Sequence, residues 1–467
     1  MYDKYGNEIT WVPNLKESDL PKYQAIAYCL EEDINLGLLV PGQKLPPQRV
    51  IADYLGINHS TVTRAYKLCA EKGLIHGTVG RGTYISSYAG IPQHLLTDNL
   101  DPTIIEMGMV LPLYETNEKI ITFLQDAYQK VDYSSVLQYV PPEGLNKHRY
   151  VASKWLRNFK LECPPEQIII TTGSQSALAV ILTSLFNKGD RIVADEYTYT
   201  GLKSLANLLG IILIPVRTGI DGIDTTELEV ACRREKAKGI YLIPDCHNPT
   251  TASITPDKRK EIARIIVDGN LLLIEDGTFG FSVPDKVRPI SSYIPDNSLF
   301  ITGVSKMLST AFRIAYIASP RKYLKQLTHG TNLITRMASA LNAELVSLLL
   351  NSPSYEQIVA DKMEKIKERN RLVDEVLCDY DLVPNENSFF RFLLLPPAMS
   401  DDEVERACLA RGVQIFSAKR FSVSAESKIN AVRLSVSGPR DSGELRKGLQ
   451  IIREVLESTA VSTQLIL

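Results

Sequence analysis

The sequence predicts an α/β protein: an N-terminal winged helix-turn-helix, a mostly parallel sheet covered by helices, and a small C-terminal α+β part. Three observations predict it. Two short helical patterns with a capped turn between them precede a glycine-tipped pair of short strand patterns; a Pro/Gly and polar stretch then breaks the chain at SSYAGIPQHLLTDNLDPT; beyond it, short Ile/Leu/Val-rich runs alternate with helical patterns. Such runs are how strands buried on both faces read.

The bulk composition sets the frame. A chain of 467 residues is long enough for roughly two to four domains. Its Lys and Arg (52) nearly balance its Asp and Glu (54), and 44% of residues are hydrophobic, which excludes wholesale disorder and a uniformly basic nucleic-acid coat. The basic charge is local. Between Pro41 and Ser86, Lys44, Arg49, Arg64, Lys67, Lys72 and Arg81 face only Asp53 and Glu71, so a chain of net charge −2 carries a basic head. No apolar run approaches the ~18 residues of a membrane span, and MYDKYGNEIT is not a signal peptide, so a cytoplasmic protein with no membrane partner is expected. Seven scattered cysteines without a CxxC pair and six histidines without HExxH spacing predict reduced thiols and no metal site.

In the head, Tyr23 to Leu36 carries Ile26, Leu30 and Ile34 on one helical face. LVPGQKLPPQ enforces a loop, because proline cannot continue a helix. Two short helices follow, Arg49 to Leu55 and Ser60 to Lys72, with Asn58 as N-cap and Gly73 as C-terminal cap. A small hairpin tipped by Gly80-Arg81-Gly82 completes the unit. The second helix of such a pair enters a major groove while the wing flanks the phosphates. Val62, Ala65, Tyr66 and Cys69 are expected inside. Arg49, His59, Ser60, Thr61, Thr63, Arg64, Lys67 and Arg81 are expected to face double-stranded DNA. The whole stretch from YQAIAYCLEEDINLG to GRGTYIS resembles the winged helix-turn-helix of GntR-type bacterial transcription regulators; His59 departs from the arginine of many relatives.

In the larger part, QIIITTG, RIVADEY, GIILIPVR, GIYLIPD, LLLIEDG and LFITGVS read as strands. Ligands of such sheets bind at the carboxyl ends of the strands, and polar residues gather there. Gly173-Ser174-Gln175 open a helix whose free amides suit a phosphate. Asn248 follows GIYLIPD, Asp276 ends LLLIEDG, and Ser305-Lys306 follow LFITGV, with Arg313 seven residues beyond Lys306. A lysine, a buried carboxylate, a phosphate cradle and an arginine are the groups that pyridoxal 5'-phosphate needs.

In this order the strand ends resemble fold-type I aminotransferases, and with the head the chain resembles the MocR-type subgroup of GntR regulators. The resemblance implies catalytic roles for Lys306, as the lysine that tethers the cofactor, and for Asp276, as partner of its ring nitrogen. It implies phosphate ligands in Ser174, Gln175 and Arg313, a cofactor-binding place for Ser305 beside the lysine, a stacking ring in Tyr199 and a donor to the phenolic oxygen in Asn248. Tyr139 would reach the phosphate of a partner subunit in a homodimer, and Arg433 would clamp a substrate carboxylate. Departures are Thr278 where relatives carry Tyr, Gly303 where they carry Ser or Thr, and Pro249-Thr250-Thr251 for PTG. The head is placed at 18–86, the linker at 87–105 and the aminotransferase-like domain at 106–467, with its small subdomain from about 323. The reading is a regulator that binds operator DNA and senses the cofactor or an amino compound, with weak or no transaminase activity. The alternatives are an active aminotransferase with a DNA-binding appendage and a cofactor-free dimerisation scaffold.

Overall fold

In the computed structural model, residues 10–15, 21–35, 38–39, 42–78, 82–86, 103–219, 221–283, 287–397, 399–424 and 429–464 are described. The chain divides into two compact units, residues 1–100 with 424–426, and 101–423 with 427–467.

The first unit is built on three helices, α1 (Lys22–Asn35), α2 (Gln48–Leu55) and α3 (His59–Glu71), and an antiparallel hairpin of β1 (Ile75–Thr78) and β2 (Gly82–Ile85). Its core is the expected one: Ile26, Leu30, Ile34, Val62, Ala65, Tyr66 and Cys69 are all buried in one cluster. The turn between α2 and α3 forms because Gly56 adopts φ +62 to end α2. Asn58 then caps α3, its side-chain oxygen accepting the Ser60 N–H at 3.0 Å. At the far end Gly73 has φ +69 and the Leu74 N–H returns to the Cys69 carbonyl at 2.9 Å, a left-handed cap that only glycine forms without strain. Arg81, expected at the wing tip, lies outside the described residues, as does most of the linker.

The second unit centres on seven strands, β3 (Ile168–Thr171), β4 (Arg191–Asp195), β5 (Ile212–Val216), β6 (Gly239–Leu242), β7 (Leu272–Asp276), β8 (Ser298–Gly303) and β9 (Ala315–Ala318), in the order β3-β9-β8-β7-β6-β4-β5. From β8 to β5 neighbouring strands are parallel; β9 runs antiparallel between β8 and β3. The six runs read as strands are all present. The seventh, β9, was missed because the four residues AYIA carry too little period to separate from a turn.

Alternation sends the two faces of each strand to different helices. Tyr241, Leu272, Ile274 and Ile301 meet the helices Ser174–Leu185, Thr200–Leu209 and Arg321–Ile334. Ile240, Leu242 and Leu273 meet Thr225–Arg234 and Pro256–Asp268. A second, antiparallel sheet joins Asp381–Leu382, Phe390–Leu394, Ala431–Ser435 and Phe416–Ser417, in that order, against the helices Asp401–Ala410 and Ser442–Gln464. The expected start of the small subdomain, Tyr323, lies on a helix that packs Leu327 onto the large sheet. Ile105–Glu106 pairs in parallel with Val413–Gln414, tying the start of this unit to its C-terminal part.

Losing the α3 cap tests the head. Asn58→Ala is expected to lower its stability by about 1 kcal/mol and Asn58→Asp by far less, read from urea unfolding.

Candidate functional site

The polar residues read at the strand ends converge. Asp276, the last residue of β7, is buried. Its Oδ2 accepts the Tyr241 hydroxyl at 2.9 Å from β6, and its Oδ1 accepts the Thr278 N–H at 2.9 Å. Burial pushes this carboxyl above its ordinary range, and the bonds from Thr278 and Tyr241 oppose the shift. Among the described residues no basic side chain forms an ion pair with it. Thr278 also brings its hydroxyl within 3.4 Å of Ser174 Oγ, on the first turn of the Ser174–Leu185 helix.

That helix starts at Gly173, where φ is +97 and a Cβ would sit 2.8 Å from Arg313 Nη2. Arg313 itself holds a left-handed backbone (φ +49) and donates to the Thr172 carbonyl at 3.2 Å, so its guanidinium lies against the Gly173-Ser174 turn. A Cβ at Gly201 would collide with the Tyr199 ring and the Gln175 amide oxygen, which places those two side chains together. Gln175 Nε2 donates to the Gly201 carbonyl at 3.2 Å, while its Oε1 is buried without a partner. Burial, with Asp276 nearby, pushes the Tyr199 phenol up to about 12.

Lys306 follows β8 and Ser305 beside it is half-buried. Lys306 Nζ donates to the Val110 carbonyl. Burial first, then the charges of Arg433 and Arg313, bring its amine down to about 8, which raises the share of the neutral, nucleophilic form near pH 7. Arg433 is 4% exposed. Its Nη1 donates to Asn248 Oδ1 at 2.6 Å, its Nη2 to the Gly108 carbonyl, and its Nε is buried without a partner. Phe421 lies 4.6 Å from the guanidinium, and Phe390 and Phe416 5.5 Å. The burial holds its pKa down at about 9.

Tyr139 stands apart: it is 81% exposed and its ring lies 5.5 Å from the Arg336 guanidinium. In the head, Arg49, His59, Ser60, Thr63, Arg64 and Lys67 are exposed and Thr61 half-buried. Several of them are already held. Ser60 Oγ donates to Asn58 Oδ1 at 2.9 Å, Thr63 Oγ1 to Gln48 Oε1 at 2.8 Å, and Arg64 stacks 3.9 Å over the Tyr23 ring.

Five parts of the site were not legible in the sequence. Tyr241 and the Gly108 and Val110 carbonyls carry no motif. The pair of His247 Nε2 and Asp195 Oδ2, 3.4 Å apart beside Asn248, joins two strand ends. Lys362 is fully buried and donates to the Leu308 carbonyl at 2.8 Å, steadying the turn that bears Lys306. The one sign in the sequence is helical period: Lys362 lies four residues from both Ile358 and Ile366, on the buried stripe of its helix.

The residues fit the cofactor. A buried carboxylate with only neutral donors suits a cationic ring N–H, a Cβ-free turn beside an arginine and a helix N-terminus suit a phosphate, and a depressed amine suits a carbonyl carbon. A family model of class I and II aminotransferases matches residues 102–452, and one of bacterial regulatory proteins of the gntR family matches residues 22–85. The HTH-type transcriptional regulator YdeF of Bacillus subtilis is 36% identical over 96% of this chain and 97% of its own. The vitamin B6 salvage pathway transcriptional repressor PtsJ of Salmonella typhimurium is 23% identical over 88% of this chain and 94% of its own. The solved structure of the α-aminoadipate aminotransferase LysN from Thermus thermophilus superposes with a TM-score of 0.72, at 21% identity, over 79% of this chain and 95% of that one.

Fold and site thus define a DNA-binding head joined to an aminotransferase-class domain, whose cofactor is pyridoxal 5'-phosphate. The chain belongs to the GntR family of regulators, in the MocR-type subgroup that carries this domain.

The buried amines have a measurable consequence. Burial and the charge of Lys306 bring Lys362 down to about 7 from an ordinary 10.5, so the unfolded chain binds more protons than the folded one between those values. Stability is therefore expected to rise as pH increases from about 7 to 9, by up to ~1.4 kcal/mol per unit from this group. Urea unfolding of Lys362→Met is expected to show a shallower rise across that window.

Proposed function

We propose that this chain is a transcription regulator that grips operator DNA through its head and senses pyridoxal phosphate, or an amino compound bound with it, in its second unit. The observation that carries this reading is the convergence of Lys306, Asp276, Arg433 and the Ser174 turn in one buried cluster, in a chain that also bears a helix-turn-helix.

Bound there, the cofactor supplies an electrophilic carbon and an electron-withdrawing ring. Asp276 would keep the ring nitrogen protonated, with Tyr241 and Thr278 fixing the carboxylate in place. Gly173, Ser174, Gln175 and Arg313 would hold the phosphate, and Tyr199 would lie on the ring face. Lys306 would provide the tethering amine and Asn248 the donor to the phenolic oxygen. Arg433 would receive a ligand carboxylate on its guanidinium edge.

A specific observation favours sensing over turnover. Thr278 carries an aliphatic hydroxyl, 3.4 Å from Ser174 Oγ, and gives its N–H to Asp276, so the position offers no phenol or second acid to a reacting group. Gly303 offers no hydroxyl to the phosphate, and a Cβ there would lie 3.0 Å from Ser174 Oγ. The exposed Tyr139 supports a homodimer in which it reaches the partner's phosphate. A head of the DNA-binding class supports a cytoplasmic place. Among the described residues no helix is long and apolar enough to cross a membrane.

Wild-type protein is expected to gain visible absorbance with pyridoxal phosphate and Lys306→Ala to lose it; an unchanged band in the variant would refute the tether. An amino-acid panel that rapidly converts the cofactor to its amine form would favour the enzyme reading. In footprinting on the DNA upstream of its own gene, protection is expected to change with the cofactor or an amine. Lys67→Ala is expected to weaken binding across sequences and lower the salt slope by about 1.

A further inference from the structure

The segment that opens the second unit lies over the site as a strap. Met107 N–H donates to the Gln414 carbonyl at 2.8 Å, and the Met107 carbonyl accepts the Ser435 N–H at 2.6 Å. The Glu106 carboxylate then turns the chain, one oxygen accepting the N–H groups of Gly108 and Met109 at 2.7 and 2.6 Å. Phe416 leaves no room for a side chain at 108, where a Cβ would lie 2.6 Å from its ring. The turn aims two carbonyls at two cations: Gly108 accepts from Arg433 Nη2 and Val110 from Lys306 Nζ.

Arg433 is bound unevenly. Nη1 has the Asn248 oxygen at 2.6 Å and Nη2 has Gly108, but Nε is buried with no partner. Nε and Nη2 form one edge of the guanidinium, the edge on which a carboxylate binds with both oxygens. A single peptide carbonyl occupies half of it. Leaving a buried N–H unmade is costly, so an acceptor that satisfies both donors outcompetes one that satisfies one.

We infer that the strap is a carboxylate-operated latch: a ligand carboxylate on the Nε and Nη2 edge of Arg433 displaces the Gly108 carbonyl and frees residues 107–110, which an amine without a carboxylate does not do. This rests on the reading of Arg433 as the carboxylate-binding group and deepens it, since it assigns the effector to the amino acids rather than to simple amines. Nη1 stays on Asn248 throughout, so the arginine keeps its orientation while its outer edge changes partner. In cofactor-free protein Lys306 holds Val110 as a second catch, so loss of the first loosens the strap without detaching it.

Hydrogen–deuterium exchange of the peptide spanning 106–112 tests this in the full chain. In protein given no cofactor, Arg433→Lys, which lacks the two-donor edge, is expected to speed exchange of that peptide at least about threefold while the 298–303 strand stays protected. If Arg433→Lys does not fold by its melting curve, Arg433→Met is read in the same way. In wild-type protein loaded with pyridoxal phosphate, a panel of α- and ω-amino acids is compared with the amines that lack only the carboxylate, such as alanine against ethylamine. At least one amino acid is expected to speed exchange of 106–112 at least about threefold over the cofactor alone, and its matching amine is not. Exchange in the arginine variants equal to wild type would overturn the latch, as would amines matching their acids or a whole panel without effect. A failure of the cofactor to bind at all, read from absorbance, would count against the function proposed above, and the variant comparison in cofactor-free protein would then decide for or against the latch.

Discussion

A sheet covered by helices on both faces leaves polar chemistry a single outlet, the carboxyl ends of its strands. The rest of this molecule's second unit depends on that constraint. Ile240 and Leu242 on β6, and Leu273 and Ile274 on β7, are all consumed by packing. Only when the chain leaves the sheet can a side chain meet a ligand. Asp276, Asn248 and Lys306 stand at or beyond the ends of three neighbouring strands for that reason, and because those strands run parallel their carboxyl ends share one edge.

Burial at that edge sets the electrostatics. Lys306 and Arg433 are basic groups held by oxygens of the backbone and of Asn248, without a carboxylate paired to either among the described residues. Burial disfavours each charge, Arg433 and Arg313 add repulsion at Lys306, and Glu106 offsets only part of the shift at Arg433, so both amine and guanidinium lie below their ordinary values. Asp276 is the mirror case, a carboxyl raised by burial and supported only by neutral donors. A site of this kind has affinity for groups that complete its charges: an anion for the arginines and a protonated nitrogen for the aspartate.

The head is built differently. Its core is small, and its geometry comes from turns: Gly56 and Gly73 at left-handed positions and Asn58 as a cap. The outward face of α3 is polar but ordered, with Thr63 tied to α2 and Arg64 laid on Tyr23 of α1. Side chains already fixed lose less entropy when they meet a rigid partner such as a duplex.

The sequence by itself determined the head almost completely, because its signals are local. Caps, glycines and a 3.6-residue period act within a few residues, so helix limits read from sequence fall within one or two residues of α1, α2 and α3. It likewise announced Lys306, Asp276, Asn248 and the Ser174 turn, since each follows a conspicuous apolar run. What only the tertiary structure decided are contacts between distant segments: Tyr241 on Asp276, Lys362 on the turn of Lys306, β9 inserted antiparallel, and the Gly108 carbonyl on Arg433 across 325 positions of sequence. A backbone carbonyl looks the same in every residue, and a helix lysine looks the same whether it faces water or the core. Their roles exist only once packing has chosen which atoms are neighbours.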